Sequence, residues 1–272
     1  MTIYTGTCEI DVPASSGSGM SHGECRLDFV STTQIKLNPY NGNRIIINGA
    51  QQTIPDAGVT LSNSGLTAST RYYVYAYMNA GVMTLEASAT GYAKSSGVFI
   101  KSGDATRTLV GGVYIWTDGT FRGGSTVTHE GHQLVRTWFN DPGIHGETSM
   151  GSDVTITSTA FVEIDTALRM HVFVWADEIP QVSLTGYMSN TQQASNGVSI
   201  GFDTQLDDTA VIWASESNAN FYMPICVVGG FPRLSEGYHY FTASGRVNAG
   251  TGKWYGPGGH GTPTSLQLDS RK

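Results

Sequence analysis

Seven histidines, three cysteines and 22 acidic residues are the side chains with which this chain could do chemistry, and their spacing decides which chemistry that is. His129-Glu130-Gly131-His132, with His145 downstream, has the residue types of a zinc site. Its histidines are three apart, whereas a zincin helix sets them four apart on one face, so polar linker histidines are the simpler reading. His22 lies three residues before Cys25 with no second close pair, an incomplete ligand set. Gly17, Gly19 and Gly23 miss the dinucleotide-loop spacing and have no strand–helix context. No Gly-x-Ser-x-Gly elbow occurs, and Cys226 sits in the apolar run PICVVGG, where it reads as a small buried residue. Paired carboxylates, which glycoside hydrolysis requires, are offered by Asp177-Glu178, by Asp207-Asp208 and by Glu163 with Asp165. All fall at strand ends or in loops, where solvation is the default and Ca²⁺ the exception. No catalytic residue, metal or cofactor is expected.

Aromatic residues offer binding instead. Tyr187, Trp213, Phe221, Tyr222, Tyr238, Tyr240, Trp254 and Tyr255 concentrate in the C-terminal half. Aromatic faces flanked by Asn, Gln and Asp suit stacking on a sugar ring, with hydrogen bonds to its hydroxyls. Trp254-Tyr255, entering the glycine-rich stretch 256–261, is the expected exposed pair, with Tyr238 and Trp213 as further candidate glycan contacts. Packing in a core or a subunit interface is the competing role for the same residues.

These side chains need a scaffold, and composition limits it. Gly alone numbers 34, and Gly, Ser and Thr together make up about a third of the 272 residues. Charged residues are 14%, too few for a coiled coil, a helical bundle or a disordered polyelectrolyte. A net charge of -7 argues against tracking a phosphate backbone. No apolar run of roughly 18 residues is present, so no membrane-spanning helix is expected. The opening MTIYTGTCEI has neither a basic nor an apolar stretch of the kind a secretory signal carries. With an odd number of cysteines, synthesis in a reducing compartment is expected.

The pattern along the chain is all-β. Residues 1–25 read as an extended N-terminal arm, because PASSGSGMSHGEC is small, polar and without periodicity. Residues 26–121 carry about eight short strands, the rhythm of one β-sandwich or barrel. Asn-Gly at 41–42 and 48–49 marks hairpin turns. In TRYYVYAYM, Tyr73, Tyr75 and Tyr77 share one face, and Tyr72, Val74, Ala76 and Met78 the other. Residues 122–143 break the rhythm and read as a hinge. HEGHQLVRTWFN would be a short helix or an extended segment clamped between domains, burying Leu134, Val135, Trp138 and Phe139. Residues 144–272 carry a second series of about nine strands, fitting a jelly-roll-like sandwich. There His171, Phe173 and Trp175 alternate with Val172 and Val174, as in a sheet packed on both faces.

Residues 37–115 resemble a module of tailed-bacteriophage virion proteins. The features that carry the resemblance are the NPYNGN turn, GLTASTRYYVYA (Gly65 to Ala76), LEAS, and KSGDATRTLVG (Lys101 to Gly111). LVRTWFN at 134–140 is similar to the hinge that follows this module. The C-terminal half, with LSEGYHYFTASGR, is similar in pattern to trimeric jelly-roll heads of the C1q/TNF type. The resemblance implies a non-enzymatic virion component: a homotrimeric fibre, spike, collar or decoration protein, anchored to other virion proteins through residues 1–25. It implies no nucleic-acid partner, no membrane insertion and no catalytic residues. Two alternatives stand beside it, a tail protein that binds host-surface glycan and a capsular polysaccharide hydrolase. Cys8 and Cys25 fall in the arm, where accessible thiols would form intersubunit disulfides once lysis admits oxygen, or stay as free surface thiols.

Overall fold

β-Branched and aromatic residues recur at alternate positions through most of the chain, a pattern that fits a pleated, half-buried surface. The computed structural model describes residues 20–123, 131–206, 211–215 (backbone only), 219–232, 234–257 and 263–271. The protein is all-β; a single 3₁₀ turn, Thr166–Leu168, is the one helical element among the described residues.

The first half forms β1 (Cys25–Ser31), β2 (Gln34–Pro39), β3 (Arg44–Ile47), β4 (Ala50–Thr53), β5 (Val59–Ser62), β6 (Arg71–Asn79), β7 (Val82–Ser88), β8 (Tyr92–Ser95), β9 (Val98–Lys101) and β10 (Asp104–Tyr114). The connecting segment holds β11 (His132–Gln133) and β12 (Val135–Thr137). The second half forms β13 (Ile144–Ser149), β14 (Val154–Ile156), β15 (Val162–Glu163), β16 (Met170–Val174), β17 (Gln181–Asn190), β18 (Ser195–Phe202), β19 (Val211–Ser215), β20 (Met223–Gly230), β21 (Gly237–Val247), β22 (Gly252–Trp254) and β23 (Ser265–Ser270).

The N-terminal core lies between the sheet β1-β2-β5 and the larger sheet β7-β6-β10-β9-β8, with the β3-β4 hairpin alongside. Leu27, Ile35, Leu37, Ile45, Val74, Ala76 and Val110 fill it. Asn48 and Gly49 turn β3 into β4 with φ of 53° and 72°, both left-handed as a type I′ turn requires. The C-terminal core is a sandwich of two sheets, β11-β16-β21-β18-β19 and β13-β23-β17-β22-β14, with β15 joining β21 and β20 joining β17. Val172, Val198, Ile200 and Phe241 of the first sheet meet Val182, Leu184, Ile225 and Leu268 of the second. The chain crosses between sheets from β16 to β17 to β18, and again from β19 through β22, which is jelly-roll-like winding.

The connecting segment is a strap and not a free hinge. β11 runs parallel to β16, with His132 opposite His171. Two residues later β12 pairs antiparallel with β10, Gly111 opposite Thr137. One short stretch of backbone is therefore hydrogen-bonded into a sheet of each half. Leu134 is fully buried, and Val135, Trp138 and Phe139 are half-buried. The helical option for these residues is not taken up.

Three sequence expectations are corrected here. Residues 21–25 are docked, not tethering: the Glu24 carboxylate accepts from the backbone N–H of Asn43 (2.9 Å) and Arg44 (2.8 Å), and His22 Nδ1 accepts from Ile46 N (3.0 Å). Cys25 opens β1 and is fully buried, so it is not an accessible thiol. Burial, with Glu24 beside it, pushes that thiol up to about 12, leaving almost no thiolate for exchange. Cys8, its proposed disulfide partner, lies outside the described residues. Cys226 is the reverse case: it is exposed, because β20 alternates buried Met223, Ile225 and Val227 with outward Pro224, Cys226 and Val228.

Candidate functional site

The two halves meet on aromatic side chains. Tyr73 and Tyr75 of β6, Leu109 of β10, Phe173 of β16 and Trp175 just after that strand form one buried cluster, with Tyr92, Phe99, Tyr114 and Trp138 around it. Trp138 stands edge-on to both Phe99 (4.8 Å) and Trp175 (5.0 Å), an attractive ring geometry. Gly112 makes the approach possible, since a Cβ there would lie 2.6 Å from Phe173. Polar groups at this junction are paired. Arg136 is buried and donates to Glu178 (3.0 Å), Asp141 (2.8 Å) and the Phe173 carbonyl (2.9 Å). Trp175 donates its indole N–H to Asp141 (3.1 Å), and Tyr92 donates to Glu236 (2.7 Å), as does Tyr73. Next to this cluster the rings of His132 and His171 stack at 4.7 Å, with Trp116 against both. Burial, then His132 close by, hold His171 down to about 3, so the ring is neutral, with Nδ1 hydrogen-bonded to the Tyr238 hydroxyl at 2.8 Å.

The candidate acids and metal ligands are placed in structural roles. Glu178 is the buried partner of Arg136, while Asp177 is exposed. Glu163 takes a bidentate pair from Arg169 (2.7 Å each) and a bond from Thr242 (2.6 Å). Burial alone would raise its pKa, but those bonds hold it below the ordinary value, the wrong direction for a general acid. Asp165 caps the 3₁₀ turn by accepting from Ala167 N. Asp207, Asp208, His129 and Glu130 lie outside the described residues, and among the described residues no three metal-binding side chains converge. His145 is exposed and pairs with Asp269.

A Ser–His–Asp arrangement that sequence separation concealed does occur, in Ser235, His239 and Asp203. His239 Nδ1 lies 2.8 Å from Asp203, and its Nε2 lies 3.4 Å from the Ser235 hydroxyl but 2.8 Å from the Ser235 carbonyl oxygen. Both partners at 2.8 Å are acceptors, which favours a proton on each ring nitrogen. Burial lowers the pKa, yet the bonds to Asp203 and Ser235 outweigh burial and raise it. With Nε2 turned to the Ser235 carbonyl, the ring is not set to take a proton from the Ser235 hydroxyl. A cleft of about 360 Å³ between β1 and the strap is also spoken for: Arg26 donates to the Asn140 carbonyl and lies over Tyr40, and Asp28 accepts from Asn38.

The expected glycan contacts divide. Trp254 is completely buried, its ring covering Gly245 and Gly252 at distances that no Cβ would permit. Tyr238 belongs to the junction, stacked on Tyr114 at 4.3 Å. Trp213 lies on β19, with its side chain outside the described residues. Tyr255 is 8% exposed, but it borders an outward aromatic surface that includes Tyr222, 42% exposed, and Phe221, 60% exposed. Tyr222 and Tyr255 are 5.0 Å apart, and Tyr255 is fixed by a 2.8 Å bond to Ser189 and by the Lys253 ammonium 4.8 Å over its ring. Lys253 is paired with Asp153 at 2.7 Å, and Asp153 also accepts from Gly256 N. Lys253 and Asp153 escaped the sequence reading. Strand alternation could have found Lys253, because β22 must place Lys253 and Tyr255 on one side and Trp254 on the other.

No known family's sequence profile matches the chain, and no curated protein matches it. Among solved structures it is similar to an insecticidal delta-endotoxin of Bacillus thuringiensis, with a TM-score of 0.26 and 8% identity over 92% of this chain and 52% of the toxin. It is similar to a beta-porphyranase of glycoside hydrolase family 86 from Bacteroides plebeius, with a TM-score of 0.24 and 11% identity over 92% of this chain and 37% of the enzyme. It is similar as well to the infectious bursal disease virus Gx strain structure, with a TM-score of 0.24 and 13% identity over 90% of this chain and 73% of that one. The chain thus spans about half of the toxin and less of the porphyranase. Likenesses this slight assign neither a family nor an activity.

Proposed function

We propose that this chain is a structural protein of a tailed-phage virion, a homotrimeric surface appendage attached to other virion proteins through the segment that precedes Ser21. The observation that carries the reading is the exposed edge of β20. Among the described strands β20 pairs only with β17, and its outward residues Pro224, Cys226 and Val228 carry no charge. Val228 is 62% exposed. Sheet edges in monomeric proteins are usually blunted by charge or by a covering element. Pro224 blunts only the start of β20; the uncharged remainder suits contact with further copies of the chain. The strapped junction supports the same reading, because it joins the halves into a body without a loose hinge, and the sequence likeness over residues 37–115 supplies the phage assignment.

Native mass spectrometry of the full chain, together with identification of the protein in gradient-purified particles, tests this. Three copies are expected, with Val228→Lys shifting the mass toward one copy. A monomeric wild-type chain that is absent from particles would overturn the reading.

A further inference from the structure

The aromatic surface at the start of β20 combines two features that are seldom placed together by packing alone. Phe221 and its chain neighbour Tyr222 present large ring area to solvent, Tyr222 rests against Tyr255, and over Tyr255 stands a donor, Lys253, paired with an acceptor, Asp153. Lys253 and Asp153 are 38% and 41% exposed at the side chain, so both reach the surface beside Tyr255. Each is nevertheless anchored: Lys253 over the Tyr255 ring, Asp153 by the Gly256 N–H, and Tyr255 by Ser189. A pyranose has the complementary surface. Its axial C–H face stacks on an aromatic ring, and its vicinal hydroxyls each donate and accept, which suits an adjacent ammonium and carboxylate. Because the ion pair is internally neutral, it offers no excess charge to a uronate or sulfate, nor to a cationic ligand.

We propose that Phe221, Tyr222 and the Lys253–Asp153 pair form a binding subsite for a neutral sugar unit of a surface glycan. This goes beyond a role as a virion component. It lies at the start of β20, five residue steps of extended strand, on the order of 16 Å, from the exposed Val228.

The test applies the full-length protein to an array of neutral bacterial-surface oligosaccharides, printed beside uronic-acid and sulfated ones. Wild type is expected to be retained on neutral members. Phe221→Ala and Tyr222→Ala should each weaken retention at least tenfold, Lys253→Met several-fold, and Tyr222→Trp should restore it. Unfolding midpoints of Phe221→Ala, Tyr222→Ala and Lys253→Met should match wild type. Absence of retention on every neutral glycan would overturn the proposal. Retention confined to anionic glycans, or indifference to Phe221→Ala and Tyr222→Ala, would do the same. A fall in native mass for Phe221→Ala would show that a second copy covers these rings, and would also overturn it. Failure here leaves the virion reading intact, because detection of the chain in purified particles does not depend on sugar binding.

Discussion

Two aromatic regions of this molecule are built from the same residue types and do opposite things. At the junction, Phe173, Trp175, Tyr73 and Tyr75 are buried, and their polar tips are used inside the chain: Trp175 on Asp141, Tyr73 on Glu236, and Tyr75 on the Thr90 carbonyl. On the outer face, Phe221 and Tyr222 stand in solvent beside a half-exposed ion pair. An aromatic cluster alone therefore does not indicate a site. What separates scaffold from surface is whether the neighbouring hydrogen-bonding groups are enclosed with the rings or left within reach of a ligand.

The comparison breaks most sharply at Arg136. Replacing it with Ala leaves Glu178, with no exposed side-chain area, and Asp141, 6% exposed, without their counter-charge. Removal of one partner of a buried pair costs about 3–5 kcal/mol. Urea denaturation of Arg136→Ala should show a loss of that size, with both halves affected because the strap serves both. A loss under about 1 kcal/mol would mean that the junction is not a stabilising interface.

Acid should loosen the same region. His171 is held near 3 in the folded chain and returns to about 6.5 on unfolding, so below pH 6.5 the unfolded state binds the extra proton. Its contribution is thus fully present above pH 6.5 and is lost as pH falls toward 3, on the order of 4 kcal/mol at the end of that window. His239 has the opposite sign: its pKa is raised by Asp203, so its contribution is present below the unfolded value and is lost as pH climbs past the folded one. Unfolding free energy measured from pH 7.5 to pH 4 should fall on the acid side in wild type, and the slope should flatten in His171→Asn. An unchanged slope in that variant would remove His171 as the cause.

A smaller effect is expected from Gly112→Ala. The added methyl would sit 2.6 Å from Phe173 and 2.9 Å from Trp175, both of them fully buried rings. Overpacking of this kind costs about 1–3 kcal/mol. A thermal midpoint unchanged from wild type would show that the halves are not pressed together at β10.

These contrasts also mark what was legible in the sequence. The two strands that pack on both faces, Tyr72–Met78 and His171–Trp175, could be read from alternation alone, and they supply facing residues of the junction cluster. The Asn48-Gly49 turn was legible because few other dipeptides tolerate two left-handed residues in succession. The very short strands β11, β14, β15 and β22 were not, since two or three residues carry no period. The strap was open between helix and extended chain because its pairing partners, β10 and β16, lie far off in sequence or follow it. Cys25 and Cys226 were assigned to the wrong sides for related reasons. A polar stretch such as SHGE does not reveal that the next residue begins a buried strand, and an apolar run such as PICVV does not reveal that one of its faces is left uncovered. Trp254 was expected outside because its loop is rich in glycine, but Gly245 and Gly252 are the floor on which it packs.

The smallest effect is the one that sharpens the comparison furthest. Tyr222→Ala removes a ring that is 42% exposed and tilted against Tyr255. Surface substitutions away from buried networks usually fall within about 0.5 kcal/mol of wild type, and that is the expectation here. Tyr75→Ala, with the same residue type fully buried at the junction and its hydroxyl bonded to Thr90, should lose about 3–5 kcal/mol. Chemical denaturation of the two variants side by side reads the difference directly. If Tyr222→Ala proved as costly as Tyr75→Ala, the outer rings would be part of the scaffold. A binding surface must instead be separable from stability, so that a change which abolishes retention on sugar leaves the fold where it was.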